Sequence, residues 1–161
     1  SPSEYGEEAV KDKTVIISTT NGTKLFMKAK QSKQKIIGAF VNMDAVTEHI
    51  YSVIEKEPSD VAFLCAGTDG RLSYEDTLCA GAFISELKKR YKDAEMSDTA
   101  HAAKSLYNLF SVELEKFIMQ REHSRRLIEL GYTGDIETAL EKNKYPVVPV
   151  LSGSSIKNEQ K

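Results

Sequence analysis

The stretch from Val61 to Phe83 constrains the fold more than any other part of the sequence. Its first residues, 61–65, form a short apolar run of the kind that buried strands have. A polar loop that contains glycine follows this run. Beyond the loop, apolar residues recur at helical spacing from Leu78 onward, and Ser73 begins the signature of a capping box. The stretch therefore predicts a buried strand, a charged loop and a helix.

Strands and helices are predicted to alternate along the chain. Apolar or β-branched runs that predict strands occur at 14–18, 35–40, 61–65 and 146–151. This alternation is typical of an α/β fold, here a three-layer α/β/α arrangement with a mostly parallel or mixed sheet. We expect residues 1–151 to form a single α/β domain, and residues 152–161 to form a disordered polar tail.

Composition excludes several classes of protein. The chain of 161 residues has a formal net charge of −2, which gives no general basis for binding nucleic acid. It has no apolar run near the roughly 20 residues that a membrane-spanning helix needs, and we expect no signal peptide. Cys65 and Cys79 lack the close spacing of a redox or zinc motif. We expect both to be buried thiols in a reducing cytoplasm.

A polar turn directly follows the first predicted strand and precedes a helical stretch. Its residues are Thr19, Thr20, Asn21, Gly22 and Thr23. Backbone N–H groups at the start of a helix, together with hydroxyl donors, match the oxygens of a phosphate group. An ordinary turn with a helix cap explains the same residues, and on this motif alone it is the better interpretation.

Two further polar turns follow the next two predicted strands. Asn42 comes after the second strand and has no evident local role, so we consider it a candidate site residue. The third loop brings Asp69, Arg71, Glu75 and Asp76. Because parallel strands end at the same edge of a sheet, we expect the three turns to meet there.

Carboxylates at such an edge suit a magnesium ion, and fixed donors suit a phosphoryl group. Glu75 and Asp76 have a second explanation, because acids in the first turn of a helix stabilise its dipole by about 0.3–1 kcal/mol. Near the C-terminus lies a cluster of basic side chains, Arg121, His123, Arg125 and Arg126. This cluster could bind a phosphate or a sulfonate, or it could be ordinary surface charge, and the sequence leaves both interpretations open.

Taken together, these motifs resemble the 2-phosphosulfolactate phosphatase family. The resemblance rests on residues 1–5, 18–23, 38–42, 65–67, 72–76, 79–81, 125–131 and 135–136. It implies a cytoplasmic, Mg²⁺-dependent acid phosphatase that hydrolyses (R)-2-phospho-3-sulfolactate to sulfolactate and phosphate, a reaction of coenzyme M biosynthesis in methanogens. It also implies that residues 19–23, Asn42, Gly67 and Arg125 bind the small anionic substrate. Glu75 and Asp76 would act as metal ligands or as acid and base.

Members of this family are longer at the N-terminus, where they carry another strand and a turn rich in Asp, Arg and Thr. The resemblance therefore implies that this chain is an incomplete portion with weak or no activity. Apolar surface left by missing strands would favour a homodimer. An alternative from another class is a non-catalytic module that binds anions or mediates oligomerisation.

Overall fold

The computed structural model describes residue 1 and residues 4–19 and 21–159. The fold is built mainly from helices, with one small antiparallel sheet near the C-terminus. The helices are α1 (Glu7–Val10), α2 (Gly22–Lys28), α3 (Met43–Lys56), α4 (Tyr74–Arg90), α5 (Asp98–Phe110), α6 (Leu114–Met119), α7 (Glu122–Glu129) and α8 (Thr133–Leu140). The strands are β1 (Pro149–Ser152) and β2 (Ser155–Asn158). None of these helices combines the length and apolarity needed to span a membrane.

Helix α4 forms the centre of the core. Leu78 and Ala82 on α4 are completely buried, and they belong to one cluster that includes residues of α3, α5, α6 and α8. Helices α4 and α5 are in close contact at Gly81, where a Cβ atom would overlap the backbone carbonyl oxygen of Ala103. The helix predicted after Ser73 is therefore confirmed, and the lack of a side chain at Gly81 allows α5 to pack closely against it.

Side-chain caps fix where α4 and α5 begin. The Ser73 hydroxyl accepts a hydrogen bond from the Asp76 amide at 3.2 Å, and the Ser97 hydroxyl accepts one from the Ala100 amide at 3.3 Å. A capping serine of this kind is worth about 1 kcal/mol of helix stability. The start of α4 agrees with the sequence prediction.

The sheet differs from the predicted one. β1 and β2 pair antiparallel, and β2 lies within residues 152–161, which the sequence predicts as a disordered tail. The segment 35–37 joins the other side of β1, since the Ile37 amide donates to the Pro149 carbonyl and the Leu151 amide donates to the Lys35 carbonyl, both at 2.9 Å. The prediction of a strand near 146–151 is thus confirmed with shifted boundaries.

The predicted strands at 14–18 and 61–65 form no strand in the part of the chain that the structure describes. A strand needs a neighbouring backbone to pair with, and neither segment has such a partner among the described residues. Ile16 is 93% exposed as a result, and Val61 and Leu64 are also exposed. The described residues therefore combine helices with a small antiparallel sheet, and they do not confirm a three-layer arrangement.

Candidate active site

The loop that precedes α4 closes into a tight turn. The amides and carbonyls of Thr68 and Arg71 exchange two hydrogen bonds, of 3.1 and 2.9 Å. Asp69 and Gly70 between them both have positive φ angles, 51° and 76°, which is the backbone of a type I′ turn. Gly67 has a φ of 69°, and a Cβ atom there would lie 2.5 Å from the Arg71 carbonyl oxygen. The glycine is therefore required for the turn to close.

Glu75 and Asp76 are adjacent on α4, yet they contact different partners. One Asp76 carboxylate oxygen accepts a hydrogen bond of 2.7 Å from the Gly67 amide, which ties the loop to the start of the helix. One Glu75 carboxylate oxygen, Oε2, accepts a hydrogen bond of 2.8 Å from the Ser73 hydroxyl. Asp76 thus ties the loop to the helix, whereas the Glu75 carboxylate turns toward Ser73.

Ser124 holds the second oxygen of the Glu75 carboxylate. Its hydroxyl donates to Glu75 Oε1 at 3.3 Å, and the side chain of Ser124 is only 1% exposed. This contact links α7 to the start of α4, 49 residues away in sequence. Ser124 is not among the residues that the sequence singles out. One feature of the sequence could have identified it. Ser124 is a small hydroxyl residue in a charged segment, and its position three residues before Leu127 places both on the same face of a helix.

Glu75 lines a cavity of about 410 Å³. Residues 68, 69 and 71–75 form one side, which we call the loop wall, and residues 120–123 and 126 form the other, which we call the helix wall. Charged side chains of both signs line it: Arg71, Arg121 and Arg126 with Asp69, Glu75 and Glu122. The only cross-cavity ion pair among the described residues joins Arg71 to Glu122 at 3.9 Å, and it contributes little because both side chains are exposed.

Arg121 is the arginine of the helix wall that the structure holds most firmly. Its Nε donates to the Phe117 carbonyl at 3.1 Å. Its guanidinium carbon lies 4.2 Å from the centre of the Phe117 ring and 5.5 Å from that of the Tyr74 ring. Each contact between a cation and a ring at a partly exposed site is worth about 0.5–1 kcal/mol. Arg121 is therefore held by protein contacts in the cavity that Glu75 also lines.

The predicted turn at residues 19–23 does not line this cavity where the structure describes it. The Thr23 amide donates to the Thr19 hydroxyl at 3.0 Å, and the Thr23 hydroxyl donates to the Thr19 carbonyl at 2.9 Å. Asn21 and Gly22 begin helix α2, and Thr20 lies outside the described residues. The expected meeting of three turns depends on a shared parallel sheet edge, and that edge is not formed by the described residues.

Asn42 has a structural role that the sequence does not reveal. Its side chain is buried, accepts a hydrogen bond from the Ala39 amide at 2.8 Å, and donates to the carbonyls of Ile37 and Val147 at 3.1 and 3.2 Å. These bonds leave it no need for a ligand. Arg125, another predicted binding residue, is exposed and outside the cavity lining, which includes its neighbour Arg126 instead.

The carboxylates near the cavity do not by themselves complete a metal site. Over residues 1, 4–19 and 21–159, no three His, Cys, Asp or Glu side chains gather closely enough to hold a metal ion. The two predicted ligands also face different partners, since Glu75 contacts Ser124 and Asp76 contacts Gly67. Their oxygen atoms are of the kind that Mg²⁺ prefers, but their arrangement is not that of a ready pair of ligands.

The two cysteines lie near Asp76, and both are free thiols. Cys65 is exposed, so the prediction that it is buried is wrong, because no neighbouring strand covers its segment. Cys79 is largely buried. Burial, and then the negative charge of Asp76, raise the pKa of the Cys79 thiol to about 12 from its ordinary value of 9.0. The sulfur atom of Cys65 is only partly removed from water, and this desolvation, followed by the negative charge of Asp76, raises the pKa of that thiol as well.

These shifts predict a loss of stability at alkaline pH. The unfolded state gives up its thiol protons near the ordinary pKa, whereas folded Cys79 keeps its proton until about pH 12. The contribution of the thiol to the free energy of unfolding is therefore complete below about pH 9 and declines as the pH rises toward 12, by at most about 1.4 kcal/mol per pH unit for one proton. Urea denaturation with a reductant at pH 8 to 11 measures this slope. In Cys79→Ala the slope should be shallower, and an unchanged slope would contradict the assignment.

Comparison with known proteins places the chain in one family. The family model described as 2-phosphosulpholactate phosphatase matches residues 1–154. The chain is similar to a probable 2-phosphosulfolactate phosphatase of Caldanaerobacter subterraneus subsp. tengcongensis, with 38% identity over 99% of this chain and 64% of that protein. A protein of Thermotoga maritima with the same description is 36% identical, over 94% of this chain and 62% of its own length.

A third such protein, from Clostridium tetani, is 37% identical over 98% of this chain and 64% of its own length. The chain thus spans 62–64% of the length of these three relatives. The match covers the loop before α4, the cavity and α7 together, so it extends to every residue of the candidate site. The chain belongs to the 2-phosphosulpholactate phosphatase family.

Proposed function

We propose that the protein hydrolyses the phosphate ester of (R)-2-phospho-3-sulfolactate to (R)-3-sulfolactate and phosphate, in the cavity between the loop wall and the helix wall. The observation that carries the proposal is the Glu75 carboxylate, held by the hydroxyls of Ser73 and Ser124 in a cavity that also contains three arginines. Family membership and the names of the relatives support the choice of substrate.

Glu75 would act as the general base. It takes a proton from a water molecule as the water oxygen attacks phosphorus, and the bond from phosphorus to the ester oxygen breaks. The ester oxygen leaves with the bonding electron pair and takes up a proton from solvent to become the hydroxyl of sulfolactate, while Glu75 later returns its proton to solvent. A positioned carboxyl group of this kind contributes about 10²–10⁴-fold to the rate. Arg71, on the same wall as Glu75, would offset the negative charge of the phosphate ester, which otherwise repels an incoming nucleophile. A covalent route, with an aspartate as nucleophile, is the alternative chemistry.

Magnesium dependence is part of the proposal. Its support is the oxygen chemistry of Glu75 and Asp76, since Mg²⁺ is typically bound through one or two carboxylates together with phosphate oxygens. The described residues alone do not complete a ligand set, so the mechanism above contains no step that depends on the metal. A cytoplasmic homodimer with the three-layer α/β/α fold is likewise proposed, supported by the alternating sequence pattern and by the exposed Val15, Ile16 and Ile17.

Residues 1–161 alone should have weak or no activity, because the relatives are longer and the chain matches 62–64% of them. The test is phosphate release from 2-phospho-3-sulfolactate by residues 1–161 and by the complete gene product, each with Mg²⁺ or with EDTA. We expect turnover by the complete protein with Mg²⁺, loss of turnover with EDTA, and at least about 100-fold slower release by residues 1–161. If the complete protein releases no phosphate, the proposed function is refuted. If residues 1–161 release phosphate as fast as the complete protein does, the expectation that this portion has weak or no activity is refuted.

A non-catalytic role in anion binding is the second candidate, and the excess of arginine over lysine in the cavity lining favours it. Glu75→Gln separates the two, because an enzyme that uses Glu75 as its base should lose its turnover while the fold is kept. If the protein only binds anions, its affinity for sulfolactate should stay almost unchanged in this variant.

A further inference from the structure

Arg121 is prepared for a ligand in a way that its neighbours are not. Its guanidinium group lies against Phe117 and Tyr74, and only its Nε is used in a hydrogen bond, to the Phe117 carbonyl. Phe117 is itself stacked on Phe110 with ring centres 3.7 Å apart, so the platform under the guanidinium is rigid. Within the described part of the chain, no carboxylate forms an ion pair with Arg121.

The position of Arg121 complements that of Glu75. Glu75 belongs to the loop wall and Arg121 to the helix wall of the same cavity, and the Tyr74 ring next to Glu75 contacts the guanidinium. A substrate whose phosphoryl group reaches Glu75 would therefore place its other end near Arg121. Arg126 lines the same wall and adds a second positive charge there.

We propose that Arg121 binds the sulfonate group of the substrate, assisted by Arg126, and that it determines the preference for a sulfonated ester. This inference rests on the proposed function. A guanidinium is weakly hydrated and presents its donors in a planar fork that matches two oxygens of an anion. Of the three anionic groups on the substrate, the sulfonate is the most weakly basic, is fully ionised at all relevant pH values, and gives up water most readily. It is therefore the group that best suits a guanidinium resting on aromatic rings.

The test compares three phosphate esters in the complete protein and in Arg121→Ala. They are 2-phospho-3-sulfolactate, 2-phospholactate, which lacks the sulfonate, and 2-sulfoethyl phosphate, which lacks the carboxylate. We expect the variant to raise KM about 10- to 100-fold for the two sulfonated esters, as for loss of a charge-assisted hydrogen bond. Its kcat should change little, and its kinetics with 2-phospholactate should stay within about 2-fold of the parent.

Arg90→Ala is the matched control. Arg90 is the last residue of α4, at the end of that helix far from Glu75. Its guanidinium carbon also lies over an aromatic ring, 4.6 Å from the centre of the Tyr51 ring, and it forms an ion pair with Glu55 of α3. All three substrates should be processed normally by this variant. Arg121→Lys keeps the charge but not the planar fork, so it should recover only part of the lost affinity.

Calorimetric titration with sulfolactate and with inorganic phosphate gives a result that does not depend on turnover. Arg121→Ala should weaken sulfolactate binding about 10- to 100-fold and leave phosphate binding unchanged. An equal loss of affinity for 2-phospholactate, or unaltered sulfolactate binding, would overturn the assignment of Arg121. If the parent protein releases phosphate from none of the esters, the proposed reaction fails, whereas the titration still decides whether Arg121 binds the sulfonate.

Discussion

Replacing Glu75 with glutamine should lower kcat for 2-phospho-3-sulfolactate by about 10²–10⁴-fold, which is the usual contribution of a general base. Glutamine has the same shape, and it can still accept a hydrogen bond from Ser73 or Ser124, whose hydroxyls hold both carboxylate oxygens in the parent. What it lacks is the ability to take a proton from water. The loss should therefore appear in kcat, with KM changed little, in steady-state assays of phosphate release.

Glu113→Gln provides the control for this experiment. Glu113 is an exposed glutamate that pairs with Lys116 at 3.1 Å, and it does not line the cavity. A pair of this kind is worth about 0–1 kcal/mol, so neither the rate nor the melting temperature should shift appreciably. Retention of more than a tenth of the parental kcat by Glu75→Gln, with a normal melting temperature, would exclude Glu75 as the base.

The largest effect on stability is expected at Gly81. A Cβ atom at this position of α4 would overlap the carbonyl oxygen of Ala103 and would lie 2.8 Å from the Cβ of Tyr107, both on α5. A backbone carbonyl cannot turn away as a flexible side chain can, so the two helices must move apart at the centre of the core. We expect Gly81→Ala to reduce the free energy of unfolding by about 3 kcal/mol or more in urea titrations.

Gly134→Ala makes the same chemical change where there is room. Gly134 lies in α8, and a Cβ atom added there would meet no neighbouring atom within 4 Å. Alanine costs less conformational entropy than glycine in a helix, so this variant should be more stable by about 0.5–1 kcal/mol. Similar effects of the two substitutions would mean that α4 and α5 are not in close contact at Gly81.

Local patterns in the sequence predict the helices well, because a helix satisfies its backbone hydrogen bonds within one segment. Ser73 and the spacing of Leu78 and Ala82 indicate both the start and the buried face of α4. The strands are harder to predict, because a strand depends on another segment for its hydrogen bonds. The apolar residues at 14–18 indicate a strand, but nothing in that pattern identifies its partner.

The candidate site shows the same division. Glu75 is predicted from its place after the loop and near the start of a helix, and it does line the cavity. Ser124 is missed, because its value depends on a contact with a residue 49 positions earlier in the chain. Arg126 lines the cavity and the predicted Arg125 does not, since the rotation of a short helix about its axis decides which of two adjacent side chains faces inward.

The buried amide of Asn42 has a consequence for the order in which the protein can assemble during synthesis. One of its hydrogen bonds reaches Val147, 105 residues further along the chain. The backbone next to Asn42 also depends on residues far along the chain. The Asn143 amide donates to the Phe40 carbonyl, and the Tyr145 amide donates to the Val41 carbonyl. Almost the whole chain must therefore be synthesised before residues 40–42 can bind residues 143–147. Helices α4 and α5, in contrast, can pack on each other as soon as both have left the ribosome.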